Sequence, residues 1–367
     1  MNASKIKSDL ILIFSILLLC VLGGIFVYSA SYYVAEKDYN DKFYFLKKQI
    51  IGYVIGWITF VIASVIDYRK IKKYSLVFFI ISSILLALVL TPLGREVYGA
   101  KRWLGIGSFT IQPSDISKLA FVIFASAYLS NDISRIRTLK GVLPLLIAGG
   151  ITCVLIITEP NMSITVCVGL IMLAMLFIAG MKIKHFVLIF IPIILMIPLL
   201  IIIEPYRLKR LTAFLDPWSS PKGEGYQLLQ SLYSLGSGGL FGVGLFKSRQ
   251  KMRFLPFAES DFILSIIGEE VGFVGVVLLF LLAGVIVWRI VKTAKQCDNF
   301  FGYLLSMGIA FIFIIQIAVN ALVVTGSIPP TGLPFPLISS GNTQIIVFMA
   351  SFGIVNSICI NKDTISY

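Results

Sequence analysis

Lys247, Arg249, Lys251 and Arg253 occupy alternate positions, and Asp261 follows at the head of an apolar run. In an extended segment a period of two puts all four cations on one face. Such a face attracts a diphosphate, whose charge is concentrated and poorly screened at close contact. The plainer alternative is contact with anionic membrane lipid, worth roughly 1 kcal/mol per cation. Asp261 read alone is an ordinary helix N-cap, accepting orphan amide hydrogens. Beside the cationic strip it becomes a candidate base next to a candidate leaving-group site. Glu269 and Glu270 lie about two turns deeper in the run, a depth that calls for a polar interior or buried partners.

Three other stretches carry polar chemistry. In 92–118, Gly94, Gly99, Gly105 and Gly107 mark turns, and Lys101-Arg102-Trp103 sets two cations beside an aromatic. Trp with Lys or Arg anchors at the headgroup level; alternatively Arg102 grips an anionic lipid head bidentately. Gln112-Pro113-Ser114-Asp115 reads as a helix start, and Lys118, one turn inside, snorkels to the interface or faces a polar cavity. Thr158-Glu159-Pro160-Asn161 is a tight connection in which Asn161 can cap the next helix, while Glu159 is either solvated or lines a site. The SGGLFGVG run (237–244) permits close backbone approach but is no dinucleotide loop, since no βαβ unit surrounds it. Segment 320–344 has four prolines and no charge; irregular backbone at membrane depth is tolerated only against protein or a water-lined cavity, so it helps wall one.

The elements that must position these residues are membrane spans. The 367 residues are 58% hydrophobic and 13% charged, with mean hydropathy +0.95. A soluble domain carries about a quarter charged residues. Apolar runs reach ~18–20 residues, enough to cross a ~30 Å hydrocarbon core. Spans are predicted near 10–30, 49–66, 75–91, 116–130, 141–158, 162–181, 185–203, 262–288, 301–325 and 343–360. The expected fold is an all-α polytopic membrane protein of about ten transmembrane helices, one integral domain over 1–367, with a large extracellular loop between helices 7 and 8. The first span resembles a signal peptide, but its apolar stretch is long and nine spans follow, so an uncleaved helix is expected.

With the N-terminus inside, inner segments hold 15 Lys and Arg, including Lys5, Lys7 and Lys362, against 7 in short outer loops. Both termini are therefore expected in the cytoplasm. Loop 204–261 carries eight more but is too long for the rule to bind strongly, and falls outside. The outer segments 92–115 and 204–261 then hold most of the chemistry. The net charge of +13 sits in clusters between spans, which argues for membrane lipid and against nucleic acid. No Cys spacing suggests disulfides or zinc, and His185 begins a span beside Lys182 and Lys184, at headgroup level.

Four stretches together resemble the shape, elongation, division and sporulation family of FtsW, RodA and SpoVE. They are GAKRW with IQPSDISKLA (99–120), DPW with GYQLLQSLYSLGSGGLFGVGL (216–245), KSRQKMRFLP with SDFILSIIGEEVGFVG (247–275), and NALVVTGSIPPTGLPFPLIS (320–339). The SRQK form of the strip is closer to FtsW and SpoVE than to RodA. The resemblance covers nearly the whole chain. It implies a peptidoglycan glycosyltransferase that polymerises lipid II at the outer face of the bacterial cytoplasmic membrane, releasing undecaprenyl diphosphate beside a class B penicillin-binding protein. It maps the activity-linked aspartate to Asp261, the loop Arg-Trp to Arg102-Trp103, and the lysine after QPS to Lys118. Arg102, Trp103, Lys118, Glu159, Lys247, Arg249, Lys251, Arg253 and Glu269 are the expected substrate contacts. No metal ligands or cofactor are assigned, though a divalent ion (Mg or Mn) could share the diphosphate charge. The chain departs from the family's pattern at Phe257, Ser260, Asn161 and Ser340-Gly341-Asn342. Two other functions fit a spanning chain: a lipid II flippase, and a non-catalytic scaffold for the penicillin-binding protein.

Overall fold

A helix covers each of the ten apolar segments. The computed structural model describes residues 8–97, 100–106 and 109–361; Lys5, Lys7, Gly99, Gly107 and Lys362 lie outside them. In chain order the helices are α1 (Leu10–Tyr39), α2 (Tyr44–Val65), the short α3 (Tyr68–Lys73), α4 (Ser75–Val89), α5 (Pro113–Asn131), α6 (Leu139–Thr158), α7 (Met162–Ile178) and α8 (Ile183–Ile203). After them come α9 (Pro205–Leu215), α10 (Tyr226–Gly238), α11 (Ile263–Lys295), α12 (Phe300–Val324) and α13 (Asn342–Asn361). Six of these (α1, α2, α6, α11, α12 and α13) are long and apolar enough to cross a membrane, and α4, α7 and much of α8 are shorter apolar helices. The chain is a multi-pass membrane protein.

The helix starts follow local chemistry. Asp9 caps α1, accepting from Leu12 N at 3.0 Å, and Asn161 caps α7, accepting from Ile164 N at 3.3 Å. Pro113 occupies the first position of α5, where its missing N–H costs nothing. Among hydrocarbon chains there is little hydrophobic drive between helices, so interdigitated packing holds them. Phe313 of α12 meets Phe348 and Phe352 of α13 edge-on at 5.7 and 5.4 Å, all three buried.

The all-α expectation needs one correction. Within segment 92–115 the chain forms a three-stranded antiparallel sheet, β1 (Gly94–Val97), β2 (Ala100–Ile106) and β3 (Phe109–Ile111), in that order. Short strands separated by two-residue connections favour antiparallel hairpins, a pairing that helical periodicity arguments do not detect.

Helix α11 is broken. Gly272 has φ +67°, and the helix resumes beyond it. Backbone from 239–244 pairs across the break: Val243 N donates to Glu269 O at 2.9 Å, Gly244 N to Glu270 O at 3.0 Å, and Phe273 N to Gly239 O at 2.9 Å. A Cβ on Gly242 would lie 2.2 Å from Glu270 O, and one on Gly272 2.3 Å from Gly242 N. The SGGLFGVG run is thus the plug of a helix break, and its glycines are there for contact with protein backbone.

Candidate active site

The strip 247–253 is not extended. It is built of turns, with Phe246 and Arg253 in the left-handed region at φ +64° and +68°. Positive φ interrupts a strand, so the single cationic face expected from period two does not form. Two carboxylates at the head of α11 pull the loop inward instead. Glu269 accepts Arg249 N at 3.0 Å, Gln250 N at 3.5 Å, Ser234 Oγ at 3.2 Å and a short bond from Ser248 Oγ. Glu269, expected to contact substrate, is thus engaged in holding the loop. Lys251, expected there too, is buried, with Nζ 2.6 Å from Glu270 Oε1 and 3.1 Å from Ser29 Oγ of α1. Ser29 Oγ donates to the same carboxylate at 2.6 Å. A buried ion pair persists only with such extra hydrogen bonds. Arg253 pairs with Asp38 near the end of α1. Lys247 and Arg249 are left with exposed side chains.

Asp261 does not cap α11. Phe262 stands at the cap position with no side-chain bond, and Asp261 lies in the turn before it. Three bonds from segment 320–344 and the end of α12 fix that turn by its backbone. Asn320 Nδ2 donates to Asp261 O at 2.8 Å, Ser339 Oγ to Ser260 O at 2.6 Å, and Ser340 N to Glu259 O at 2.9 Å. Asn320 Nδ2 also donates to Leu333 O at 2.8 Å, and Ser339 Oγ accepts Phe335 N at 2.8 Å. A Cβ on Gly332 would sit 3.5 Å from Asp261 Oδ2. The proline-rich segment thus walls the carboxylate. The departures at Ser260 and Ser340 fall where the contacts use backbone atoms, so these ties survive them.

The Asp261 carboxyl is partly open to solvent at its surface yet set in dense protein, and burial pushes its pKa up to about 7. Glu259 raises it further by like charge; Arg102 and Arg210 oppose both. Burial also raises Glu259. The carboxylate and the two guanidiniums come from three separated parts of the chain. Arg210 lies on α9, whose Arg207 and Arg210 share a face at i, i+3 spacing. That spacing was available in YRLKR but was counted only as loop charge.

Arg102 projects from β2, and strand alternation sends Lys101 and Trp103 to the opposite side. Its Nε donates to Glu159 O at 3.3 Å and its Nη2 makes a short bond to Pro160 O. The 159–161 turn therefore aims Arg102 with main-chain carbonyls. The Glu159 side chain is wholly buried, both carboxyl oxygens lack a hydrogen-bond partner, and burial lifts its pKa to about 8 against the pull of Arg102. Glu159, expected at the substrate, thus faces protein here. Lys118 is enclosed likewise: 2% exposed, it pairs with Asp115 at 2.8 Å and donates to Gln316 Oε1 at 3.1 Å. Gln316 and Gln344 both donate to Pro334 O, at 3.2 and 3.1 Å, so Lys118 supports the wall of the site from behind.

Among the described residues no three His, Cys, Asp or Glu side chains converge to hold a metal ion.

Comparison with known proteins places this geometry. A family described as Cell cycle protein, that of FtsW, RodA and SpoVE, matches residues 9–364. The chain belongs to this family. Stage V sporulation protein E of Bacillus subtilis (strain 168) is 37% identical over 97% of this chain and 98% of its own length. A probable peptidoglycan glycosyltransferase FtsW of Trichlorobacter lovleyi is 36% identical over 95% of this chain and 92% of its own. Among solved structures, a chain of a peptidoglycan synthase complex that coordinates polymerization and crosslinking superposes with TM-score 0.82 at 25% identity, covering 98% of this chain and 99% of that one. The rod shape determining protein RodA of Thermus thermophilus gives TM-score 0.73 at 25% identity, over 98% and 99%. Both carry the FtsW, RodA and SpoVE fold through nearly their whole length.

Proposed function

We infer that this chain is a peptidoglycan glycosyltransferase, with Asp261 its general base. The observation that carries the reading is a carboxyl poised near neutrality between two arginines, in a chain of this family. All ten apolar helices span the membrane, both termini face the cytoplasm, and 92–115 with 204–261 lie outside.

The substrate is lipid II. Asp261 takes the proton of the 4-hydroxyl on the acceptor's GlcNAc as that oxygen attacks the anomeric carbon of the lipid-linked donor MurNAc. The new glycosidic bond forms as the bond to the diphosphate oxygen breaks, and undecaprenyl diphosphate leaves with the bonding pair. A base of pKa near 7 is ionised enough to be present and basic enough to accept the proton. Arg102 and Arg210, with the exposed Lys247 and Arg249, meet the charge that develops on the leaving diphosphate. Arginine suits the first two places because its planar fork binds phosphate bidentately. A class B penicillin-binding protein, which crosslinks the strands, is the working partner; the likeness to a chain of a polymerizing and crosslinking complex supports it.

The test supplies purified protein, alone and with its cognate transpeptidase, with labelled lipid II and reads glycan chain length on gels. Glycan made by wild type and lost in Asp261→Asn is the expected result. Wild-type protein that moves lipid II across liposomes and makes no glycan would establish the flippase; one that does neither but activates its partner, the scaffold.

A further inference from the structure

A cleft of about 440 Å³ opens sideways along the seam of α1 and α2, and its Tyr53 hydroxyl donates to Leu337 O of Asp261's wall at 2.7 Å. Its floor is a stripe of α1 from Leu17 to Tyr28 facing a stripe of α2 from Leu46 to Trp57, and Phe246 closes one end. Each stripe runs over twelve residues, about 16 Å of helix from first to last. Lined almost entirely by apolar groups, the cleft suits a hydrocarbon chain lying parallel to the helices.

Charge at its mouth indicates what kind of chain. Phe246 packs edge-on against Tyr28, with centroids 5.9 Å apart, so the basic loop begins where the cleft ends. From there the loop climbs α1, through Lys251 on Ser29 to Arg253 on Asp38. Lys247 and Arg249 are exposed on this stretch, and among the described residues neither side chain lies within ion-pair distance of an acid. Three nearby cations are neutralised, Lys42 by Glu36, Lys47 by Asp41 and Arg253 by Asp38, while Lys48 donates to the Tyr44 hydroxyl at 2.6 Å. An apolar cleft with unneutralised cations at one end is complementary to a lipid with an anionic head.

We propose that the α1–α2 cleft holds the hydrocarbon tail of a polyprenyl diphosphate lipid, with the diphosphate at Lys247 and Arg249. The proposal rests on the glycosyltransferase reading for the identity of the lipid. It gives the loop cations Lys247 and Arg249 a ligand of matching charge, just beyond the end of the cleft that Phe246 closes. Gly24 sits on the floor of this cleft. A Cβ there would meet Leu46 Cδ1 at 3.8 Å and Tyr53 Cε2 at 4.0 Å, ordinary contacts, so a larger side chain grows into the cleft without displacing backbone.

The experiment compares kcat/KM for a long-tailed and a short-tailed lipid II, using full-length protein with its transpeptidase. Gly24→Phe and, independently, Val21→Trp are expected to lower the long-over-short preference roughly tenfold or more, since each displaces buried methylenes. Ile51→Trp, on a lipid-facing part of α2 outside the cleft, is expected to keep the wild-type preference. Unchanged preference in both cleft variants overturns the proposal and leaves the enzymatic reading standing. If wild type makes no glycan from either substrate, the enzymatic reading fails, and a photoactivatable polyprenyl diphosphate decides the cleft: labelling of α1 and α2 peptides upholds it. Labelling that phosphatidylglycerol vesicles abolish at equal concentration, showing ordinary membrane lipid as the occupant, overturns it.

Discussion

Asn320 holds Asp261 by the backbone: its Nδ2 lies 2.8 Å from the aspartate's carbonyl oxygen and 2.8 Å from that of Leu333. One amide thereby fixes both the turn that carries the base and the segment that walls it. Asn320→Leu removes both bonds while keeping the side chain's branched shape. Since misplacing a catalytic group by about 1 Å can cost 10²-fold, kcat for glycan synthesis should fall by that order, with binding of lipid II little changed. A fall in binding affinity with kcat preserved would count against a positioning role.

Asp261→Asn should reduce polymerisation at least ~10²-fold, the lower range for losing a general base. For the wild type, kcat/KM should rise with pH through about 7, the value to which burial lifts this carboxyl. A pH–rate profile measures it; a limb near pH 4 would mean the base is unperturbed. The stability sign is opposite. Between the ordinary aspartate value of 3.8 and about 7 the unfolded chain has lost this proton while the folded chain keeps it, so this group's contribution to stability falls as pH rises across that window and is level above it.

Breaking the buried pair should be costly. Lys251→Met or Glu270→Gln alone leaves a buried polar or charged group without its partner, and such single losses cost about 3–5 kcal/mol. Thermal unfolding in detergent should show each single variant strongly destabilised. The double variant Lys251→Met/Glu270→Leu should recover much of that loss, because the uncompensated charge is gone.

The helix break should not tolerate side chains. Gly272→Ala and Gly242→Ala place a Cβ within 2.3 Å of backbone at residues with positive φ, so both steric and conformational strain arise. Limited proteolysis should find 239–253 newly cleavable in either variant. Gly24→Ala, at an uncrowded helical glycine, is the matched control.

Glu159→Gln mimics the protonated acid, the form favoured up to about pH 8. Activity at pH 7 should therefore stay within about threefold of wild type, a change of less than 1 kcal/mol. Glu159→Ala should lower stability by roughly 1–3 kcal/mol through the cavity and the loosened turn. Lost activity in the glutamine variant at intact stability would show that the ionised form is needed.

The helical frame was legible because a run of ~20 apolar residues has one stable arrangement in lipid. Asp261 and Arg102 were legible because motif and chemistry converged on them. The fate of Lys251 was not. Alternation presumes extended backbone, and nothing local reveals that Glu269 and Glu270 draw the loop into turns. The burial of Glu159 and Lys118 was not legible either: a charged residue near a site lies in it or behind it, and only packing separates the two. Arg210 was missed although its i, i+3 spacing from Arg207 was in plain view.

The bond between Ser29 and Glu270 spans 241 positions. At ~5–20 residues per second of synthesis, the first helix waits roughly 10–50 s for that carboxylate to be made. Until then Lys251 has no carboxylate to pair with, and the last wall of the base, 333–340, does not yet exist. The site is thus completed only after residue 340 has been made. A nascent or prematurely terminated chain can insert its early helices yet carries no assembled site, so an incomplete product in the membrane is an inert one.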